Sequence, residues 1–132
     1  MLVKQRSGYC QLKKMKNNEG CQIEIDDIAF VLKVLGGKWK LYILTSLYFE
    51  KKRFKQLERD IRGISPKMLI KELKELEALG IVNRQTFNTV PITVEYSLTE
   101  NGLTLKPILG QMKQWAAEFK QQLKLDAQQQ SK

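Results

Sequence analysis

The 132-residue chain has no histidine, only two cysteines and three prolines, and no apolar run that approaches the length of a membrane span. Each scarcity excludes something. Without histidine the commonest general base and the commonest zinc ligand are both missing, and two cysteines cannot complete a tetrahedral metal site. Cys10 and Cys21 are also too few and too close to the amino terminus to staple a core, so they read as reduced thiols. Residues Met1 to Asn18 are polar and basic without the apolar middle of a signal peptide, which predicts a cytoplasmic protein. Asp26 and Asp27 are adjacent carboxylates, but they precede the apolar-periodic run Ile28 to Leu35 and read as a helix start, not an acid–base pair. Gly36-Gly37 and Gly102 fit no phosphate-cradling motif. The expectation is therefore no catalytic residue, no metal, no cofactor and no enzyme.

Acidic residues are the other shortage. There are 14 Asp and Glu against 23 Lys and Arg, a formal net charge of +9 with a pI near 9.6, and this balance favours a polyanionic partner. The excess is concentrated, since residues 38 to 75 hold eleven basic and five acidic side chains, a net +6. A second cluster, Lys13, Lys14 and Lys16, reads as a solubilising tail slightly ahead of a DNA-contacting arm. A hydrophobic content of 42% is enough for one compact domain at this length.

The basic window has the pattern of two short helices joined by a turn. A helix beginning at Phe54 or Lys55 places Phe54, Leu57 and Ile61 on one face, and Gly63 makes the turn. Ser65 can cap the next helix, Pro66 suits its first position, and Gly80 supplies the stop. At 100° per residue Leu69, Leu73 and Leu76 fall on one side of that helix and Lys67, Lys71 and Lys74 roughly opposite. Lys67 and Lys71 are a like-charge i,i+4 pair, unfavourable in isolation and better placed against an anion. This is the pattern of a helix-turn-helix whose second helix enters a DNA major groove. Upstream, a helix from Asp26 or Asp27 through Val34 turns Ile28, Val31, Leu32 and Leu35 inward, and another from about Lys38 to Leu47 buries Trp39, Ile43, Leu44 and Leu47. Between Lys51 and Phe54 lies a connector or small strand.

After Gly80 the period changes. Val82 to Phe87 and Ile92 to Leu98 read as strands around a turn at 88–91, a hairpin placed where a wing would be. Its tip is neutral, with Arg84 the only basic residue nearby, so wing contacts are expected to be polar or backbone-mediated. A long helix then opens at Thr99 and runs to about Leu123 with a bend at Pro107. Its apolar stripe is longer than a small domain needs. The first half can dock on the chain's own helices, while Met112, Trp115, Phe119 and Leu123 are better explained by burial against another subunit.

The fold class expected is mainly α with a small β-hairpin, a winged helix-turn-helix. Gly36-Gly37-Lys38-Trp39, Arg53-Phe54 with Leu57 and Ile61, Gly63-Ile64-Ser65 followed by Met68-Leu69, Leu73 and Leu76-Glu77, then Gly80-Ile81-Val82 with Arg84, Pro91, Val94, Tyr96, Leu98-Thr99 and Gly102 resemble the HxlR family of bacterial winged-helix regulators, relatives of the MarR type. The resemblance covers roughly Cys21 to Phe119. It implies a cytoplasmic homodimer, joined through its amino- and carboxy-terminal helices, that binds pseudo-palindromic double-stranded operator DNA through two recognition helices. It also implies a reactive cysteine just before the first core helix in members that sense electrophiles or oxidants. Cys21 is the nearest match, with Cys21-Gln22 where the family commonly has Cys-Pro, and Cys10 is a second candidate thiol.

Combined, these readings predict a flexible basic arm over residues 1–20, a winged-helix domain with its dimerisation helix over 21–124, and a polar tail over 125–132. Ser65, Lys67, Met68 and Lys71 are expected in the groove. Lys38, Arg53, Lys55 and Lys74 are expected on phosphates, with Asn88 and Thr89 at the wing tip. The expected function is a dimeric DNA-binding repressor, responsive to an electrophile or other effector. The alternative is a basic winged-helix module that binds RNA or protein within a larger assembly.

Overall fold

A computed structural model describes residues 23–130. Cys10, Cys21 and the Lys13, Lys14 and Lys16 cluster lie outside the described residues. The described residues divide into two units, with the boundary between Gly36 and Gly37. In the first, helix α1 spans Ile25–Leu35 with Glu24 at its N-cap and Asp26 and Asp27 in its first turn. The helix thus opens slightly earlier than its aspartates suggested, because the Asp27 side chain reaches back to accept from the Glu24 backbone N–H at 3.3 Å. None of its residues is buried, although the spacing predicts an inward face.

The second unit contains α2 (Lys40–Ser46), β1 (Lys52–Arg53), α3 (Phe54–Asp60), α4 (Pro66–Ala78), β2 (Val82–Phe87), β3 (Thr93–Leu98), α5 (Glu100–Leu103) and α6 (Lys106–Gln130). The expected hairpin is present with Val82 opposite Leu98 and Phe87 opposite Thr93. The connector is a strand after all. Lys52 and Arg53 pair with Tyr96 and Glu95, giving an antiparallel sheet in the order β1-β3-β2. On β3 the alternation holds in part: Tyr96 is buried and Val94 and Leu98 are half-buried, but Ile92 precedes the strand and is 67% exposed.

One core serves these elements. Ile43, Leu44 and Leu47 of α2 and its C-cap, Leu57 and Ile61 around α3, and Leu69, Leu73 and Leu76 of α4 are each at most 3% exposed, and Val82 and Tyr96 close the sheet side. Burying each such side chain stabilises the fold by about 1.5–3 kcal/mol before the entropy of ordering it. The turn from α3 to α4 needs Gly63, whose φ of +87° is a conformation that side-chain-bearing residues rarely adopt.

The long carboxy-terminal helix is divided. Thr99 is indeed an N-cap, its hydroxyl accepting the Gly102 N–H at 3.0 Å and donating to the Gly80 carbonyl at 2.5 Å. The helix it caps ends at Leu103, and α6 restarts at Lys106. The break precedes Pro107, because proline sits in the first turn of α6, where the backbone N–H it lacks has no intrahelical partner. Gly102 packs against the Ile81 carbonyl so closely that any Cβ would overlap it. α6 then continues through Gln130, past the end expected near Leu123, with Gln122 donating to Asp126 one turn later at 3.1 Å. No helix among the described residues is long and apolar enough to cross a membrane.

Candidate nucleic-acid interface

The site is built on α4. Ser65 accepts the Met68 N–H at 3.1 Å and Pro66 occupies the first turn, so the helix start has the chemistry its sequence predicts. Leu69, Leu73 and Leu76 face the core, and Lys67, Lys71 and Lys74 are exposed on the opposite side without an ion pair among the described residues. Met68 is half-buried beside them and Ile70 is 43% exposed.

The remaining candidates come from three other places. Arg53 is exposed at the start of α3, where its N–H donates to Gln56 Oε1 at 2.8 Å. Lys55 is exposed in the first turn of α3 and lies 3.5 Å from Glu58. Lys38 stands over the Trp39 ring at 4.7 Å. At the wing tip Asn88 and Thr89 are exposed, but the Thr89 hydroxyl is engaged inside the turn, donating to the Pro91 carbonyl at 2.7 Å and lying 2.8 Å from Thr93 Oγ1. Asn88 is therefore the freer donor of the two.

Two open clefts group some of these side chains. One, of about 540 Å³, brings Arg53 and Lys55 together with Arg59 between α3 and the tip end of β3. Another, of about 440 Å³, sets Lys74 beside Arg84, against Phe54 and Tyr96. Arg59 and Arg84 were not among the expected contacts. The i,i+4 spacing of Lys55 and Arg59 was the available signal for the first, and the strand alternation that places Arg84 opposite Tyr96 for the second.

Electrostatics sharpen the picture. Of the five carboxylates between residues 38 and 75, Glu58, Asp60, Glu72 and Glu75 are engaged in ion pairs. Lys52 and the Ser46 hydroxyl hold Asp60 by hydrogen bonds, which keep its carboxyl below the usual carboxylate range. Lys40 is the residue that the sequence reading missed. It was counted as part of the basic excess, yet it is 8% exposed and donates to Glu72 at 2.6 Å and to Glu75 at 2.5 Å, both on α4. Burial pushes its pKa down, and the two carboxylates more than reverse that, leaving it above the ordinary lysine value. The Lys40 hydrogen bond likewise holds Glu75 below the ordinary glutamate value. The signal was there: Glu72 lies within the Leu69, Leu73, Leu76 stripe, and a carboxylate at an inward position needs a cation. Seven basic residues of the window, Lys38, Arg53, Arg59, Arg62, Lys67, Lys71 and Lys74, make no ion pair among the described residues. A helix with one face in the core and unneutralised cations on the other can lie in a groove lined by phosphates.

A family model described as HxlR-like helix-turn-helix matches residues 34–124. Among curated proteins, an uncharacterized HTH-type transcriptional regulator of Bacillus subtilis (strain 168), YybR, is 48% identical over 99 residues, covering 75% of each chain. Among solved structures, the reduced form of the redox regulator HypR is similar with a TM-score of 0.69 and 45% identity, over 74% of this chain and 96% of that one. The reduced form of the transcriptional regulator YodB from B. subtilis has a TM-score of 0.63 and 37% identity, over 74% of this chain and 95% of that one.

Proposed function

The chain belongs to the HxlR-like helix-turn-helix family, and from that membership we propose that it is a repressor that binds pseudo-palindromic operator DNA as a homodimer in the bacterial cytoplasm. It is a DNA-binding transcriptional regulator and not an enzyme. The observation that carries the finer reading is the two-faced α4, with a leucine stripe in the core and Lys67, Lys71 and Lys74 exposed without ion pairs among the described residues. Ser65, Lys67, Met68 and Lys71 enter the major groove. Lys38, Arg53, Lys55 and Lys74 take phosphates, and Asn88 and Thr89 approach the backbone from the wing.

The dimer forms through α6, whose Met112, Trp115, Phe119 and Leu123 are between 46% and 63% exposed. Trp115 and Phe119 stack on each other at 5.0 Å and offer a flat apolar surface. HypR is described as a redox regulator, and YodB is known in a diamide-treated form. By analogy Cys21, with Cys10 as a second thiol, is proposed as the sensor of a small electrophile or oxidant, its thiolate being the form that attacks.

The test is a titration of the purified chain with genomic fragments, a selected duplex and a scrambled duplex, repeated after mild quinone or hypochlorite treatment. A regulator gives a specificity ratio and not only salt-sensitive affinity. Oxidant-induced release that survives in both Cys21→Ser and Cys10→Ser would remove the thiol-sensor reading and leave the operator reading standing.

A further inference from the structure

Lys40 and Glu72 are the buried charged side chains among the described residues. A buried ion pair is weak evidence for stability, because replacing it by apolar groups of similar volume is often neutral or stabilising. What this pair supplies is geometry. Lys40 opens α2, and its partners lie 32 and 35 residues later on α4. The leucine stripe beside Glu72 makes non-directional contacts that tolerate small rotations of the helix. A charge-assisted hydrogen bond at 2.6 Å does not tolerate them as well.

Glu75 adds a second observation. It lies four residues after Lys71, close enough on a helix surface for the two to pair. Its carboxylate instead accepts from Lys40 at 2.5 Å, and Lys71, although its charge still reaches Glu75 through space, makes no ion pair among the described residues. We propose that Lys40 is a positioning residue for DNA reading, setting the rotation of α4 through Glu72 and drawing Glu75 away from Lys71 so that this lysine remains available to the nucleic acid. This rests on the reading of α4 as the DNA-reading helix.

The test uses the full chain, a duplex that the wild type selects from random-sequence DNA, and a scrambled duplex of the same composition. Lys40→Met/Glu72→Met replaces the buried pair by apolar side chains of similar volume and leaves Glu75 free to turn to Lys71. This variant should unfold at the wild-type denaturant midpoint or above it. Its selected-to-scrambled affinity ratio should fall about tenfold, and its salt slope should become shallower by roughly one unit, because a Lys71 paired with Glu75 no longer counts as a free cation in the groove. Adding Glu75→Gln should restore the slope and leave the ratio low. A folded double variant with a ratio within twofold of wild type overturns the positioning role, and one with an unchanged slope overturns the withdrawal of Glu75. Glu75→Gln alone keeps the buried pair and should change neither quantity; a steeper slope there overturns the withdrawal independently of how the double variant folds. A wild-type chain that prefers no selected duplex overturns the underlying reading, and this proposal with it.

Discussion

Helices α4 and α6 carry the same kind of apolar stripe and end up with opposite fates. α4 has 13 residues and buries Leu69, Glu72, Leu73 and Leu76, whereas α6 has 25 residues and buries none. Periodicity therefore identifies a face that wants cover without saying what covers it. For α4 the cover is the chain's own α2 and strand β2. For α6, Trp115 at 63% and Phe119 at 47% exposure leave an apolar surface too long for the monomer, which is why a second copy is proposed there.

The comparison breaks most readily at α6. Trp115→Ser/Phe119→Ser should convert the proposed dimer to a monomer in sedimentation, and operator affinity should fall by about 10²–10⁴-fold as the linked second half-site is lost. A wild-type chain already monomeric at micromolar concentration would remove the proposal. On the other side, Leu73→Ala opens a cavity inside one chain and should cost about 2–5 kcal/mol in chemical denaturation, whatever the oligomeric state.

Smaller effects sharpen the assignment of the two faces of α4. Lys71→Ala should relax selectivity by about 1–3 kcal/mol at one base position. Lys55→Ala should instead weaken selected and random duplexes alike and make the salt slope shallower by roughly one unit. Identical behaviour of the two variants would mean that the reading face is misplaced.

The smallest effect is on pH. Asp60 and Glu75 have lowered carboxyl pKa values in the folded chain, held by Lys52 and Lys40 respectively, so their stabilisation is present above the unfolded values and is lost as pH falls through the folded ones. Lys40 has a raised pKa, so its contribution is complete below the unfolded lysine value and is lost only as pH rises through the folded one. The denaturant midpoint should thus stay level between about pH 6 and pH 9 and drop on the acid side first. Glu75→Gln should reduce that acid-side drop, and an unaltered acid limb in that variant would count against the pairing.

Much of the site was legible because its signals are local. The Ser65 cap, Pro66, the Gly63 turn and the lysine face of α4 lie within a stretch of 15 residues or so, and each rests on contacts three or four residues apart. The hairpin was legible for the same reason, its strands being joined by a short turn. The division of the last helix was harder to see. Pro107 marked a disturbance, but its ring fits a helix start as well as a bend, and only the structure shows α5 ending at Leu103 and α6 starting at Lys106.

By itself, the sequence determined the order of helices and strands, the turn and cap chemistry that starts and stops them, and the concentration of positive charge on one stretch of chain. These follow from periodicity and hydrogen bonds between near neighbours, which depend little on the rest of the molecule. The tertiary structure decided what those elements meet: that Lys52 and Arg53 form a third strand against Tyr96 and Glu95, that Lys40 is a buried partner of α4 and not a surface cation, and that seven of the eleven basic residues between positions 38 and 75 make no ion pair among the described residues. Such pairings join residues as far apart in the chain as Lys52 and Tyr96, and only the packing of one element on another brings them within reach of each other.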